Sequence, residues 1–194
     1  MLINSQSSKI KAPLISKANQ SQFVIIDTQE RLITAMPKAE LKTCINNMGI
    51  LAQASVLLGV PAIITEQYPK GLGNTVPELL AILPKAPMVE KICFSCVAEP
   101  TFRSQLSRDR SQIILAGMEA HICVLQTALD LIGSDRQVFV AEDAIISRNS
   151  TNKANALARM REAGCIISNT ESIVFEWLGK AEGDAFKTIS KLIR

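Results

Sequence analysis

The sequence predicts an α/β fold, with a six-stranded parallel sheet as the middle of three layers and helices wound over both faces. Three observations predict it. Six short apolar runs recur along the 194 residues. Each is close to continuously apolar rather than alternating, which marks strands buried on both faces. Between them lie segments with the 3.6-residue spacing of helices. Strand–helix alternation at these lengths calls for parallel pairing with right-handed crossovers.

The chain opens on MLINSQSSKIKAPLISKANQ, which lacks the apolar core of a secretion signal. Residues 1–20 read as a flexible arm and 21–194 as one domain, long enough to bury a sizeable core. FVII (23–26) is the first strand. A helix over about 38–58 follows, striped by Leu41, Ile45, Met48, Leu51, Leu57 and Leu58, with Gly59 where a cap belongs. VPAIIT (60–65) is the second strand. The next stretch, 66–87, carries four prolines and two glycines and reads as a loop with a short helix near 77–82. APMV (86–89), QIILA (112–116), QVFVA (137–141) and CIIS (165–168) complete the sheet. Val124, Leu125, Ala128, Leu129 and Ile132 stripe a helix that begins at Cys123 and stops before Gly133. Leu157 and Met160 mark another, capped by Ser150 or Thr151 and closed by Gly164. Phe175 and Trp177, on a helix over about 170–178, belong to the core or to a subunit interface. The tail, 181–194, has one apolar side, which covers the sheet or docks on a partner.

Composition removes several classes of function. Apolar residues are 47% and charged residues 20% of the chain, and the net charge is +3 with no block of like charges. Nucleic-acid binding needs a dense basic stripe, which is missing. No apolar run approaches the roughly 18–20 residues that span a membrane. Neither a P-loop nor a complete GxGxxG occurs. The five cysteines are an odd set without a secretion signal, so free thiols in a reducing cytoplasm are expected. The only histidine is His121. A multi-histidine metal site is therefore impossible, and neither metal nor cofactor is expected. Cys93 and Cys96 form a CxxC with no second half to complete a zinc site, and read as packing residues.

In open parallel sheets, ligands bind beyond the carboxyl ends of the strands. There the sequence places Asp27 after the first run, Thr65, Glu66, Gln67 and Tyr68 after the second, and Lys91 after the third. The turn Met118–Ile122 and then Cys123 follow the fourth. Asp27, Lys91 and Cys123 are then a base, a cation and a nucleophile in one place. A helix N-terminus and an ammonium both favour a thiolate, and can bring a thiol into the range of about 3.5–7.5. A carboxylate within reach can take the thiol proton and return it to a leaving amine. The amides of the turn would serve as an oxyanion hole. The expected reaction is acyl transfer from an amide-like carbonyl, through a thioester, to water.

Several segments carry a resemblance to a known family. VIIDTQERL (24–32), TEQYPKGLGNTVPEL (65–79), VEKICFS (89–95), LAGMEAHICV (115–124), AEDAIISRNS (141–150) and the closing MREAGCIISNTES are similar to the isochorismatase-like, or cysteine, hydrolases. The second of these is similar to the divergent isochorismatase-domain subgroup. The resemblance runs from about Phe23 to Leu178 and implies a doubly wound, Rossmann-like sheet of six parallel strands. It implies a catalytic triad of Asp27, Lys91 and Cys123. It further implies a cis peptide at Met118–Glu119, turning the amide of Glu119 toward the oxyanion beside that of Cys123. The substrate pocket is expected to draw on Gln67, Tyr68, Phe94, Glu119 and His121. Family nicotinamidases hold a metal with an aspartate and two histidines, which this chain cannot match. Family members that cleave a vinyl ether lack the cysteine, so Cys123 directs the expectation to a C–N bond in a small molecule. A vinyl-ether hydrolase and a non-catalytic thiol-sensing or interaction protein are the alternatives. Homo-oligomers, dimers or larger, are expected from the resemblance and the apolar C-terminal helices.

Overall fold

The computed structural model describes residues 14–193. Six strands form one sheet: β1 (Ser21–Ile26), β2 (Ala62–Gln67), β3 (Met88–Lys91), β4 (Gln112–Met118), β5 (Gln137–Ile146) and β6 (Ile166–Ser168). Their order is β3-β2-β1-β4-β5-β6 and every pairing is parallel. The winding reverses between β1 and β4, and a reversal of this kind opens a crevice at the carboxyl ends of the two strands.

Eight α-helices join and cover the strands among the described residues: α1 (Lys38–Leu57), α2 (Pro69–Leu72), α3 (Pro77–Ile82), α4 (Pro100–Gln105), α5 (Leu125–Gly133), α6 (Ser150–Glu162), α7 (Thr170–Leu178) and α8 (Gly183–Leu192). Alternation along β1 sorts the core into two. Phe23 and Ile25 join α1, α3, α7 and α8 on one face, while Val24 and Ile26 join α5 and α6 on the other. None of these helices is long and apolar enough to cross a membrane.

The central strands are buried throughout, as their continuous apolar runs require, but the edges differ. β3 starts two residues later than APMV suggests and alternates exposed and buried, because an edge strand meets the core on one face only. β6 is half-buried along its length. β5 runs on to Ile146 past a register shift opposite β4, carrying its polar Glu142 and Asp143 out of the core's reach. α1 is buried along Cys44, Met48, Leu51, Ala52 and Ser55, and its last residue, Leu57, is exposed. The cap of α6 is Asn149 rather than Ser150 or Thr151; its side chain accepts from the Thr151 amide. α2 lies where the sequence suggests loop, and both α2 and α4 start with a proline at the position where its missing N–H costs nothing.

Trp177 is a core residue whose Nε1 donates to Ser21 Oγ at 3.0 Å. Ile189 of α8 is fully buried beside it, so the tail covers the sheet. Residues 1–13 of the expected arm lie outside the described residues. Its later part is fastened: Ser16 is buried and donates through both N and Oγ to Glu176, and Lys17 N donates to Gln112.

Candidate active site

β1 and β4 end side by side, with Ile26 in register with Gly117. Gly117 has φ +119°, and a Cβ there would lie 2.0 Å from Ile26 O, so only glycine permits this approach. One residue past Ile26, the chain turns at Asp27 with φ 50°, a left-handed conformation that aspartate tolerates better than most residues. This turn leaves the fully buried Asp27 side chain at the mouth of the crevice.

Both oxygens of that carboxylate are held. Thr65, from the end of β2, donates to Oδ1 at 2.7 Å. Lys91, the last residue of β3, donates to Oδ2 at 2.6 Å, and neither side chain of this pair is exposed. The ammonium also donates to Gln67 Oε1 at 2.8 Å and to the carbonyls of Phe94 and Cys93 at 3.2 and 3.3 Å. The net effect of these partners is to raise the Lys91 pKa; burial pulls it down, but the Asp27 carboxylate outweighs it. At neutral pH the site therefore contains an ammonium, fixed against the Asp27 carboxylate.

Beyond β4, the Met118–Glu119 peptide bond is cis. The helical path then begins at Ala120, earlier than the expected start at Cys123, and its first turn is a π-turn over Ala120–Val124. The Val124 amide bonds back to Glu119 O at 3.2 Å, five residues away, which widens the turn by one residue. Cys123 lies within this turn, buried, and lines the same cavity as Asp27.

The thiol differs from its expected state. Burial pushes its pKa well above the ordinary thiol range, and the Asp27 carboxylate pushes the same way; Lys91 offsets only part of this. A raised pKa favours a neutral resting thiol facing a carboxylate, where the position near a helix start suggested a thiolate. Sequence position could not reveal this, because the desolvation comes from the folded surroundings. Ionising the sulfur requires a base to take the proton as a bond forms.

A cavity of ≈180 Å³ opens on these groups, lined by Asp27, Gln67, Glu119, Cys123 and Arg148 and walled by Leu32, Leu72, Phe94 and Ile122. Gln67, Phe94 and Glu119 thus line the cavity that holds Asp27 and Cys123. Tyr68 and His121 do not. Tyr68 is half exposed, and its ring lies over Gly71, beside a separate depression with Pro69, Lys70 and Ile92. The π-turn directs His121 toward the end of β5, where Nδ1 meets Ser147 Oγ at 2.9 Å and Nε2 lies 3.4 Å from Asn152. Sequence reasoning passed over Leu32, Leu72, Ile122 and Arg148, although all four stand inside the motifs that marked their neighbours.

Gln29, fully buried, ties the rim together: its amide donates to Gln67 O and Gly73 O and accepts from the Gln67 amide. Cys96 is buried behind the site with its sulfur 3.8 Å from Thr65 Oγ1, while Cys93 is exposed, so the two thiols of the CxxC face different surroundings. Among the described residues, no cluster of three or more His, Cys, Asp or Glu side chains is placed to hold a metal ion.

This is a doubly wound α/β protein with a thiol, a carboxylate and an ammonium gathered at the switch point of its sheet. The profile of the isochorismatase domain matches residues 21–172, and the chain belongs to that family. The secreted isochorismatase effector Isc1 of Phytophthora sojae is 38% identical over 160 residues, covering 80% of this chain and 76% of its own. Isochorismatase domain-containing protein 2 of Danio rerio is 37% identical over 176 residues, 89% of this chain and 86% of its own. Among solved structures, MAR1 ribonuclease from Caenorhabditis elegans superposes with a TM-score of 0.86 at 34% identity, covering 92% of each chain. YcaC from Pseudomonas aeruginosa, with hexane-2,5-diol and covalent acrylamide, gives 0.85 at 25% identity over 92% of this chain and 91% of its own.

Proposed function

We propose that this protein is a cofactor-free cysteine hydrolase that cleaves the C–N bond of a small amide-like substrate through a thioester. The observation that carries the reading is the buried Asp27–Lys91 ion pair with the Cys123 thiol beside Asp27 on one cavity of ≈180 Å³. That volume is below the range of about 300–1,000 Å³ typical of ligand pockets, so the substrate is small. Asp27 takes the thiol proton as the sulfur attacks the carbonyl. The amides of Glu119 and Cys123 receive the developing oxyanion. Asp27 then gives its proton to the leaving nitrogen, the C–N bond breaks, and a thioester remains. Water, deprotonated by Asp27, cleaves the thioester and restores the thiol. Lys91 fixes Asp27 Oδ2 throughout.

Two further points support this reading. A neutral resting thiol beside a carboxylate suits base-assisted attack. The Pseudomonas aeruginosa relative holds covalent acrylamide, an electrophile that nucleophilic side chains capture. The protein is read as cytoplasmic and as assembling with copies of itself; exposed Met88, Ile92 and Phe94 at the β3 edge supply apolar surface for such contacts.

The test is a panel of small amides, carbamoyl compounds, vinyl ethers and RNA, screened for release of ammonia, acid or nucleotide. The expected outcome is turnover of an amide or carbamoyl compound, abolished in Cys123→Ala with the urea midpoint preserved. Full activity in Cys123→Ala, or cleavage of RNA alone, would overturn the reading.

A further inference from the structure

The cavity has two polar side chains that the proposed chemistry leaves unused. Asp27, Cys123 and the oxyanion amides are committed to the reaction. Gln67 is spent, its Oε1 on Lys91 and its Nε2 on the Ile92 carbonyl at 2.7 Å. Four of the remaining walls are apolar. That leaves Glu119 and Arg148.

These two are tied to each other. Glu119 is 5% exposed, and both of its oxygens face Arg148: Oε2 accepts from the Arg148 amide at 3.0 Å, and Oε1 lies 3.2 Å from the guanidinium NH2. His121 Nδ1 is a further 3.9 Å from Oε2. The arginine side chain, by contrast, is 59% exposed. An exposed arginine ordinarily samples many rotamers and keeps its head in water. Here the buried carboxylate holds the guanidinium through Oε1 and the Arg148 backbone through Oε2, and the residue borders the cavity. A guanidinium has five N–H donors, and one of its nitrogens is engaged with Glu119. The other donors are available in a fork that matches a carboxylate edge-on. Among the residues lining the cavity, no other cation is within reach of an incoming ligand, because Lys91 is fully buried and occupied.

We infer that Arg148, held in place by Glu119, is a specificity-determining residue that binds a carboxylate on the substrate, so the substrate is a small amide that also carries an acid group. The inference rests on reading Cys123 as the nucleophile. Given that reading, it accounts for a cation at the mouth that no catalytic step uses. It also accounts for a buried glutamate with one oxygen on the Arg148 guanidinium and the other on the Arg148 backbone amide. The small cavity leaves space for only a few bonds between the acid and the carbonyl that Cys123 attacks.

Iodoacetate and iodoacetamide give a test independent of the natural substrate. Both alkylate thiols through the same carbon, and they differ in carboxylate against neutral amide. Labelling at pH 8.5 is followed by peptide mass spectrometry, with the exposed Cys93 as the internal reference in the same molecule. The expected iodoacetate-to-iodoacetamide rate ratio at Cys123 is at least tenfold above that at Cys93. In Arg148→Met the ratio at Cys123 falls to the Cys93 value, and in Arg148→Lys, which keeps the charge without the fork, it lies between. The urea midpoints of both variants establish that they fold. Labelling of Cys123 with no preference for the acid, or a ratio unchanged in Arg148→Met, overturns the inference alone. Failure of both reagents to label Cys123 in the wild type counts against the nucleophile itself, and the inference goes with it.

Discussion

Lys91→Met tests whether the ion pair beneath the thiol supports the fold as well as the chemistry. Lys91 Nζ and Asp27 Oδ2 are 2.6 Å apart, with neither side chain exposed. At an effective dielectric constant of about 20, unit charges at that separation attract by roughly 6 kcal/mol. Methionine keeps the length of the side chain and removes the charge, orphaning a buried carboxylate. Breaking such pairs costs about 3–5 kcal/mol. The carboxyl has one escape, which is to take a proton. Against the ordinary aspartic-acid value that costs about 4 kcal/mol at pH 7 and about 1.5 kcal/mol at pH 5. The part of the Lys91→Met loss that comes from the orphaned charge is therefore capped near 4 kcal/mol at pH 7 and shrinks toward about 1.5 kcal/mol at pH 5. Asp27→Asn/Lys91→Met removes both charges and should recover at least half of the loss at pH 7. Urea unfolding of the four proteins at both pH values measures this. A Lys91→Met loss that is the same at pH 5 and pH 7, or one below about 1 kcal/mol, would refute the argument that the site stores an uncompensated charge.

The buried thiols make stability fall on the alkaline side. Burial pushes Cys44 up to about 12 and Cys96 and Cys165 up to about 11, from an ordinary thiol value of 9.0. Below pH 9 both folded and unfolded thiols are protonated and the contribution is intact; from pH 9 upward the unfolded thiols ionise first, so stability drops until the folded values are passed. Cys44 alone should account for about 2 kcal/mol by pH 10.5, read as a lower urea midpoint than at pH 8 and a flatter profile in Cys44→Val; a midpoint level to pH 10.5 would contradict this. Thr65→Val removes the donor on Asp27 Oδ1 while keeping the shape. A hydrogen bond to a charged group contributes about 1.5–3 kcal/mol, so a loss of that size is expected, with Thr65→Ser restoring most of it. Equal unfolding curves for Thr65→Val and the wild type would show that Lys91 alone holds the carboxylate.

The central sheet was legible because complete burial leaves a run of apolar residues whatever its neighbours are. Phe23–Ile26 and Ile113–Ala116 are such runs, and both are fully buried. The edge strand β3 was placed two residues early because one of its faces is solvated and its pattern weakens. The meeting of Asp27, Lys91 and Cys123 could be anticipated from strand-end positions, since parallel topology brings those ends to one side. Other features depend on tertiary detail. The protonation of Cys123 is set mainly by desolvation, which no local window of sequence contains. Tyr68 and His121 stand next to cavity residues in the chain, yet a φ of 38° at Tyr68 and the wide turn around His121 aim them elsewhere. Arg148 reaches the cavity only because β5 extends to Ile146 rather than stopping near Ala141.

The π-turn at Ala120–Val124 places Cys123 by counting rather than by chemistry. An ordinary helix spaces residues about 100° apart around its axis. Removing any one of Ala120, His121 or Ile122 would let the turn close to that regular geometry, giving a locally better helix. The same deletion would swing the sulfur by about one such step away from Asp27, with every site residue still present in the sequence. Comparison by residue identity would pass such a chain as intact. What separates a competent copy of this fold from an inert one can thus be the number of residues between Glu119 and Val124, a length that carries no functional group of its own.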